Sequence, residues 1–136
     1  MRIIVDNSIW TRCLLRESYM GYIVRALVRH ELLVSDALLA ELLDKSADPD
    51  LIPKYWDPYA EKLLVYIEDK SIKIPVTSVV DECRDKNDNY LLALAIDGKA
   101  NYLITNDNDL LGMNPYRGTI IRTAIDLHLL GTPIDE

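Results

Sequence analysis

Four acidic residues occupy positions from which their side chains could together bind a cation. Asp6 directly follows a short β-branched run, and Asp107 comes two residues after the end of a second apolar run. Glu41 and Asp88 line or begin segments with helical spacing. Carboxylates that crowd together without Lys or Arg partners repel one another, which either raises some of their pKa values or recruits a cation. Magnesium prefers oxygen ligands and needs only two or three carboxylates, and the bound ion can activate water for phosphodiester cleavage.

Strands and helices alternate along the chain, and this order predicts the scaffold that positions the acids. Patterning predicts strands at 2–5, 32–34, 72–74, 102–105 and 119–122, helices at 9–16, 19–30, 36–45, 59–69 and 88–97, a polar turn at 106–109 and a last helix after residue 122. Such alternation is typical of an α/β three-layer sandwich with a central, mostly parallel sheet. Ligands of these sheets bind beyond the carboxyl ends of the strands, where Asp6 and Asp107 both fall. Their side chains would lie close together if the two strands are neighbours.

Local signals refine the positions of the other acids. In the helix 36–45 four leucines form an apolar stripe, and Glu41 projects from the edge of this stripe. Asp88 falls in the first turn of a helix that Gly98 ends. For the nearby Asp85, a solvated loop position or a helix cap is favoured over a role as metal ligand.

The overall composition predicts one globular domain over residues 1–136. Hydrophobic residues make up 49% and charged residues 27% of the chain, which are close to the averages for soluble proteins. No apolar run reaches the roughly 20 residues that a membrane span requires, and the N-terminus has no signal-peptide pattern, so we expect a cytoplasmic protein. Cys13 and Cys83 belong to no Cys/His pattern, so free thiols are expected.

The charge of the chain restricts how it could bind nucleic acid. A net charge of −7 and a pI near 4.8 argue against a broad basic surface that grips nucleic acid. RNA stays a candidate substrate, because a nuclease can hold it through divalent ions and a few local basic residues. Among the aromatic residues, Tyr55, Trp56 and Tyr59 are expected to pack against the core rather than stack on bases.

Each acid taken alone has a simpler interpretation. A single Asp after a strand often only caps the helix that follows, and this interpretation is favoured for Asp6 or Asp107 by itself. The combination of four acids at one expected sheet edge favours a shared site.

The sequence also contains four segments in a familiar order. VDNSIW, SDALLAEL, CRDKNDNYLLALA and YLITNDNDLL occur in the order and at roughly the spacing of PIN-domain proteins. The chain resembles that family from end to end, and most resembles the PIN-type toxins of prokaryotic toxin-antitoxin operons, in which an acidic CRD segment precedes the second acidic helix. The resemblance implies a PIN fold and a metal-dependent endoribonuclease that cuts single-stranded RNA with magnesium or manganese. It also implies a cognate antitoxin protein that covers the pocket, and homodimers are common in the family.

The resemblance assigns roles to individual residues. The family's catalytic, metal-binding acids are matched by Asp6, Glu41, Asp88 and Asp107. Ser8 matches the polar residue after the first acid, Thr105 matches the hydroxyl residue before the last acid, and Asp109 is an auxiliary acid. Asn7 departs from the family, which more often has Thr or Ser there, but the position is variable and the first acid is intact.

Three alternatives compete with this interpretation. Haloacid-dehalogenase enzymes need a second Asp two residues after the nucleophile, and Ser8 occupies that place. Response-regulator receivers need a Lys after a late strand, and none stands there. A PIN-like scaffold that binds RNA or protein without cutting belongs to a different functional class, and the four intact acids make it the less favoured interpretation.

Overall fold

The computed structural model describes residues 1–50 and 57–129, with side chains at 1–50 and 60–127. Within these ranges the strands are β1 (Arg2–Val5), β2 (Glu31–Val34), β3 (Ser71–Lys73), β4 (Tyr102–Ile104) and β5 (Ile120–Arg122). The α-helices are α1 (Asn7–Leu15), α2 (Glu17–Leu27), α3 (Asp36–Ser46), α4 (Asp57–Lys70), α5 (Asn89–Gly98) and α6 (Asn108–Leu111). Short 3₁₀ helices cover Lys86–Asp88 and Ala124–Leu129.

The strands form one parallel sheet in the order β3-β2-β1-β4-β5. From β1 the sheet grows to one side through β2 and β3, and to the other side through β4 and β5. Right-handed crossovers therefore place the helices of the first half and the helix α5 on opposite faces of the sheet. The predicted three-layer α/β sandwich is confirmed.

The inner strands β1, β2 and β4 supply much of the core. Their last residues are fully or almost fully buried, whereas β3 and β5 at the sheet edges are more exposed. An inner parallel strand is covered on both faces, which is why these segments contain nearly continuous apolar residues. Trp10 on α1 is among the largest fully buried side chains, and each such residue contributes roughly 1.5–3 kcal/mol by leaving water. Cys13 and Cys83 are buried free thiols, as predicted.

Most element boundaries match the prediction within a few residues, and two local predictions are wrong. The polar turn expected at 106–109 is replaced by α6, because Asp107 caps a short helix there. The leucine stripe of α3 is narrower than predicted, since Leu43 is 53% exposed. The cluster of Tyr55, Trp56 and Tyr59 lies outside the residues whose side chains are described. No helix in the described part of the chain is long and apolar enough to cross a membrane.

Gly98 is the last residue of α5, as predicted, but a glycine is needed there because of packing and not because of its backbone conformation. The left-handed residue that terminates the helix is Lys99, with φ of 50°. A Cβ atom at position 98 would lie 2.8 Å from Cδ1 of Leu33 on β2. Glycine at this position therefore allows the end of α5 to lie close to the sheet.

Candidate metal-binding and catalytic site

Asp6 lies at the carboxyl edge of the sheet, where β1 and β4 run side by side. In the parallel register Val5 is opposite Ile104, and the Asp6 N–H donates to the Ile104 carbonyl oxygen at 2.9 Å. The two acid-bearing strands are neighbours, which is the condition under which Asp6 and Asp107 were expected to lie close together. This is also the point from which the sheet grows in both directions, and open α/β sheets bind ligands at such switch points.

Two hydroxyl groups orient the Asp6 carboxylate. Thr105 Oγ1 donates to Asp6 Oδ2 at 2.7 Å, and Ser8 Oγ donates to the same oxygen at 3.0 Å. Asp6 is only 5% exposed, and its side chain does not cap α1. The capping interpretation is therefore wrong for Asp6. Because both hydroxyls bind Oδ2, neither of them occupies Oδ1.

Asp107 is connected to the Thr105 hydroxyl as well. Its backbone N–H donates to Thr105 Oγ1 at 3.0 Å, so one threonine side chain joins the two acids. Asp107 Oδ1 accepts from the Asp109 N–H at 2.9 Å and thereby caps α6. The capping interpretation is correct for Asp107. Asp109, predicted as an auxiliary acid, contributes to this turn through its backbone.

Three carboxylates converge beside this turn. One oxygen from each of Asp85, Asp88 and Asp107 lies within 4.8 Å of the other two, and all three residues are half-buried. An octahedral magnesium shell is about 4.2 Å across, which is close to this separation. The donor set contains only hard oxygen atoms, as magnesium or manganese prefers.

The electrostatics of this cluster show that its acids repel one another. Burial is the largest cause that raises the pKa of Asp88, and together with the contact with Asp107 and the charges of Asp107, Asp6 and Asp85 it raises this pKa to about 8. A hydrogen bond from the Asp88 carboxyl lowers the pKa of Asp107. Asp88 and Asp107 therefore share a proton when no cation neutralises them. Asp88 Oδ2 is buried without a hydrogen-bond partner among the described residues, so this oxygen is suited to a metal ion.

Glu41 stands further from the centre than predicted. It forms an ion pair with Lys45 at 3.3 Å along α3, so the expectation of acids without basic partners is wrong at this position. Glu41 nevertheless faces the site across Tyr90 of α5, since burial first, then Glu41, Asp6 and Asp88, raise the pKa of the Tyr90 hydroxyl. Neither Glu41 nor Asp6 belongs to the cluster of Asp85, Asp88 and Asp107.

Tyr90 and Asn7 form a polar link that the sequence did not indicate. Asn7 Nδ2 donates to the Tyr90 hydroxyl and to the Leu38 carbonyl oxygen, both at 3.2 Å. This link joins the start of α1, one residue after Asp6, to α3 and α5. Asn7 is fully buried; its amide nitrogen is hydrogen-bonded, whereas its Oδ1 has no hydrogen-bond partner among the described residues.

Asp85 joins the cluster although a solvated loop position or a helix cap was favoured for it over a role as metal ligand. It does cap the 3₁₀ helix, since Asp85 Oδ1 accepts from the Asn87 N–H at 3.0 Å. In a 3₁₀ helix residues three apart lie one above the other, which aligns Asp85 with Asp88. The spacing of the two residues was therefore a usable signal, but only for a 3₁₀ turn rather than the predicted start of an α-helix.

The segment between β3 and the 3₁₀ helix is held at several points. Hydrogen bonds from the Ser78 and Thr77 groups to the Asp97 carboxylate lower the pKa of that carboxyl. The Cys83 N–H donates to Asn89 Oδ1 at 2.8 Å, and the Tyr116 hydroxyl donates to a carboxylate oxygen of Glu82 at 2.7 Å. These contacts fix the backbone that carries Asp85 into the cluster.

Comparison with known proteins identifies the family. A PIN-domain family model matches residues 2–109, which is most of the chain. The protein belongs to the PIN-domain family. Its fold is similar to the crystal structure of VapBC2 from Rickettsia felis bound to a DNA fragment from their promoter, with a TM-score of 0.59, 15% identity, and coverage of 90% of this chain and 98% of that one. No curated protein sequence is significantly similar to this chain.

Proposed function

We propose that this protein is a divalent-metal-dependent endoribonuclease that cuts single-stranded RNA. The observation that carries the proposal is the convergence of Asp85, Asp88 and Asp107 beside Asp6 at the switch point of a PIN-domain sheet. These carboxylates repel one another and gain most from a hard divalent cation. Magnesium or manganese bound there would activate water and stabilise charge during phosphodiester hydrolysis.

The residues of the site have separable roles in this proposal. Asp88 and Asp107 hold the metal, and Asp85 completes the cluster from the 3₁₀ turn. Asp6 faces the same position and is kept in place by the hydroxyls of Ser8 and Thr105. Glu41 acts from the outer edge, through Tyr90 or through water. These assignments follow the predicted set and add Asp85 to it.

A cleavage assay with matched variants tests the proposal. Purified protein is incubated with mixed single-stranded RNA in magnesium, in manganese and in chelator, beside Asp88→Asn and the control Asp44→Asn. Asp44 is an exposed residue of α3 outside the site, so the control removes the same charge without touching the cluster. We expect metal-dependent cutting by the wild type and the control, and at least a 100-fold lower rate for Asp88→Asn. Equal cutting by all three proteins would refute the site.

If the protein does not cut the RNA, two interpretations are possible, and a measurement of metal binding distinguishes them. Tight manganese binding by calorimetry, lost in Asp88→Asn, combined with no cutting of mixed RNA, would indicate a nuclease with a narrow RNA target. No cutting and no metal binding would indicate the scaffold alternative. If the protein is a scaffold, its Asp6→Asn variant should bind RNA or a protein partner as well as the wild type does.

We also propose that the enzyme is the toxin of a toxin-antitoxin pair. The family assignment and the fold similarity to a VapBC2 structure support this proposal. Induced expression should then arrest growth of a bacterial host, Asp88→Asn should not, and co-expression of the protein encoded by the adjacent gene should restore growth. Light scattering of the purified chain tests the homodimer. Growth arrest by Asp88→Asn as strong as by wild type would contradict a toxin that acts through this site.

A further inference from the structure

A cavity lies near the acid cluster and outside the proposed metal site. It has a volume of about 420 Å³ and is lined by Arg12, Tyr19, Tyr22, Asn106, Ala124 and Ile125. Pockets of roughly 300–1,000 Å³ that combine apolar walls with a few polar groups are typical of small-molecule sites. The walls come from α1, α2, the end of β4 and the 3₁₀ helix after β5, so the cavity opens beside the same carboxyl edge as Asp6.

One wall is an aromatic surface with a cation on it. The Arg12 guanidinium lies 5.7 Å from the centre of the Tyr19 ring, and the Tyr19 and Tyr22 rings are 6.4 Å apart. Arg12 has no ion-pair partner within the described ranges. In a chain with a net charge of −7, this cation beside tyrosine rings is a local attraction for a phosphate and a base.

The opposite wall is fixed in place yet exposed. The Tyr22 hydroxyl donates to the carbonyl oxygens of Ala124 and Ile125 at 2.8 and 3.1 Å, which ties the 3₁₀ helix to α2. The Ile125 side chain is nevertheless 78% exposed at the cavity. The cavity therefore has a rigid frame and an apolar surface that a planar ligand would cover.

Two polar groups in the cavity are suited to recognising a planar ligand by hydrogen bonds. The Tyr19 hydroxyl is buried, faces the Asn106 side chain, and forms no hydrogen bond of normal length with the described residues. Asn106 offers a donor and an acceptor on one amide, which is the pattern needed to pair with the edge of a base. Asn106 also lies between Thr105 and Asp107, so a ligand that contacts its side chain would be next to the acid cluster.

We propose that this cavity binds a nucleobase of the RNA, next to the phosphodiester that lies at the acid cluster. The inference rests on the proposed nuclease function and assigns its substrate-positioning subsite. The base stacks on the tyrosine surface, Asn106 and the Tyr19 hydroxyl contact its edge, and Arg12 contacts a flanking phosphate. The cavity thereby selects which phosphodiester is cut.

Nuclear magnetic resonance of the intact protein tests the subsite without requiring cleavage. Each of the four nucleoside 5′-monophosphates is titrated into ¹⁵N-labelled protein in chelator, with ribose 5-phosphate as the ligand that lacks a base. We expect at least one nucleotide to shift the Asn106 side-chain amide and the Arg12 resonances, and ribose 5-phosphate to shift neither. Tyr19→Ala should weaken this binding about tenfold or more. Arg12→Ala should weaken it as well, whereas the exposed Arg29→Ala, which removes the same charge elsewhere, should not.

Cleavage of an RNA of known sequence gives the second readout. Tyr19→Ala and Asn106→Ala should change the preferred cut positions and raise KM more than they lower kcat, while metal binding stays unchanged. Normal cut positions in both variants, together with unshifted cavity resonances, would overturn the subsite and leave the nuclease proposal standing. Nucleotide binding in the cavity without RNA cleavage and without manganese binding would refute the nuclease and keep the base site. Resonances that respond to an antitoxin peptide but to no nucleotide would assign the cavity to protein docking instead.

Discussion

The Asp88→Asn variant should be more stable than the wild type when no metal is present. Asp88 is kept protonated by burial and by the surrounding carboxylates, with a pKa of about 8 against an ordinary value of 3.8. An asparagine has nearly the same shape, carries no charge, and can still donate a hydrogen bond to Asp107. The substitution therefore removes a repulsion and keeps the contact.

The size of the effect follows from proton linkage. A carboxyl whose folded-state pKa is raised binds its proton more tightly in the folded state, so wild-type stability falls as pH rises from about 4 to about 8. At 1.36 kcal/mol per pH unit this would amount to several kcal/mol at pH 8. Asp88 is only half-buried, and solvent screening reduces the effect to about 2 kcal/mol. For a chain of this length that corresponds to a melting temperature roughly 7 °C higher for the variant.

Thermal unfolding in chelator and in manganese measures the stability of the wild type and of the variant without and with a bound metal ion. Without metal, the variant should melt above the wild type at pH 8, and the difference should shrink toward pH 5. With manganese at about 100 times its Kd, the wild type should gain roughly 2.7 kcal/mol and the variant should gain little. The control Asp44→Asn should follow the wild type in every condition. Equal melting of wild type and Asp88→Asn at pH 8 in chelator would refute the shared-proton account of the cluster.

Three further predictions concern residues that position the site. Thr105→Val removes the donor to Asp6, so it should destabilise the protein by about 2 kcal/mol in urea and lower metal-dependent cleavage more than tenfold; an unchanged rate would contradict the orienting role. Gly98→Ala places a Cβ against the buried Leu33 side chain and should cost about 1–3 kcal/mol in urea unfolding while the manganese Kd stays the same. Asp97→Asn should destabilise at neutral pH, and because the pKa of Asp97 is lowered in the folded state, the difference from wild type should begin to shrink as pH falls below about 4 and should keep shrinking as the folded-state carboxyl is protonated; a difference that stays constant from about pH 5 to about pH 2 would exclude this linkage.

The sheet was predictable because burial on both faces gives short inner strands a nearly continuous apolar sequence. β1, β2 and β4 are covered on both faces, so their sequences are runs of Ile, Leu and Val that polar residues interrupt only at the ends. The order of the strands was not contained in these patterns. Whether β1 and β4 are neighbours therefore stayed open at the level of the sequence, and the structure supplied the order. Helix α6 was missed because four residues are too few to show helical periodicity.

The site was predictable for the acids that follow strands and less so for the others. Asp6 and Asp107 are positioned by the parallel sheet itself, so locating the two strands located both residues. Asp85 depends on a 3₁₀ turn that composition does not distinguish from the start of an α-helix. Tyr90 was not singled out, since a sequence pattern does not show where its hydroxyl group points.

The acids of the proposed site are prepared for a cation in two different ways. Asp6 receives two hydrogen bonds from hydroxyl groups, so its position is set by the folded chain before any ion binds. Asp88 receives none on its buried Oδ2, and it must share a proton with Asp107. Metal binding should therefore leave Asp6 in place and displace the proton from the Asp88–Asp107 pair. The affinity for manganese should consequently increase with pH up to about 8, and a proton should be released for each ion bound, which calorimetry in buffers of different ionisation enthalpy would measure. Manganese binding without proton release at pH 7 would show that the ion is held elsewhere.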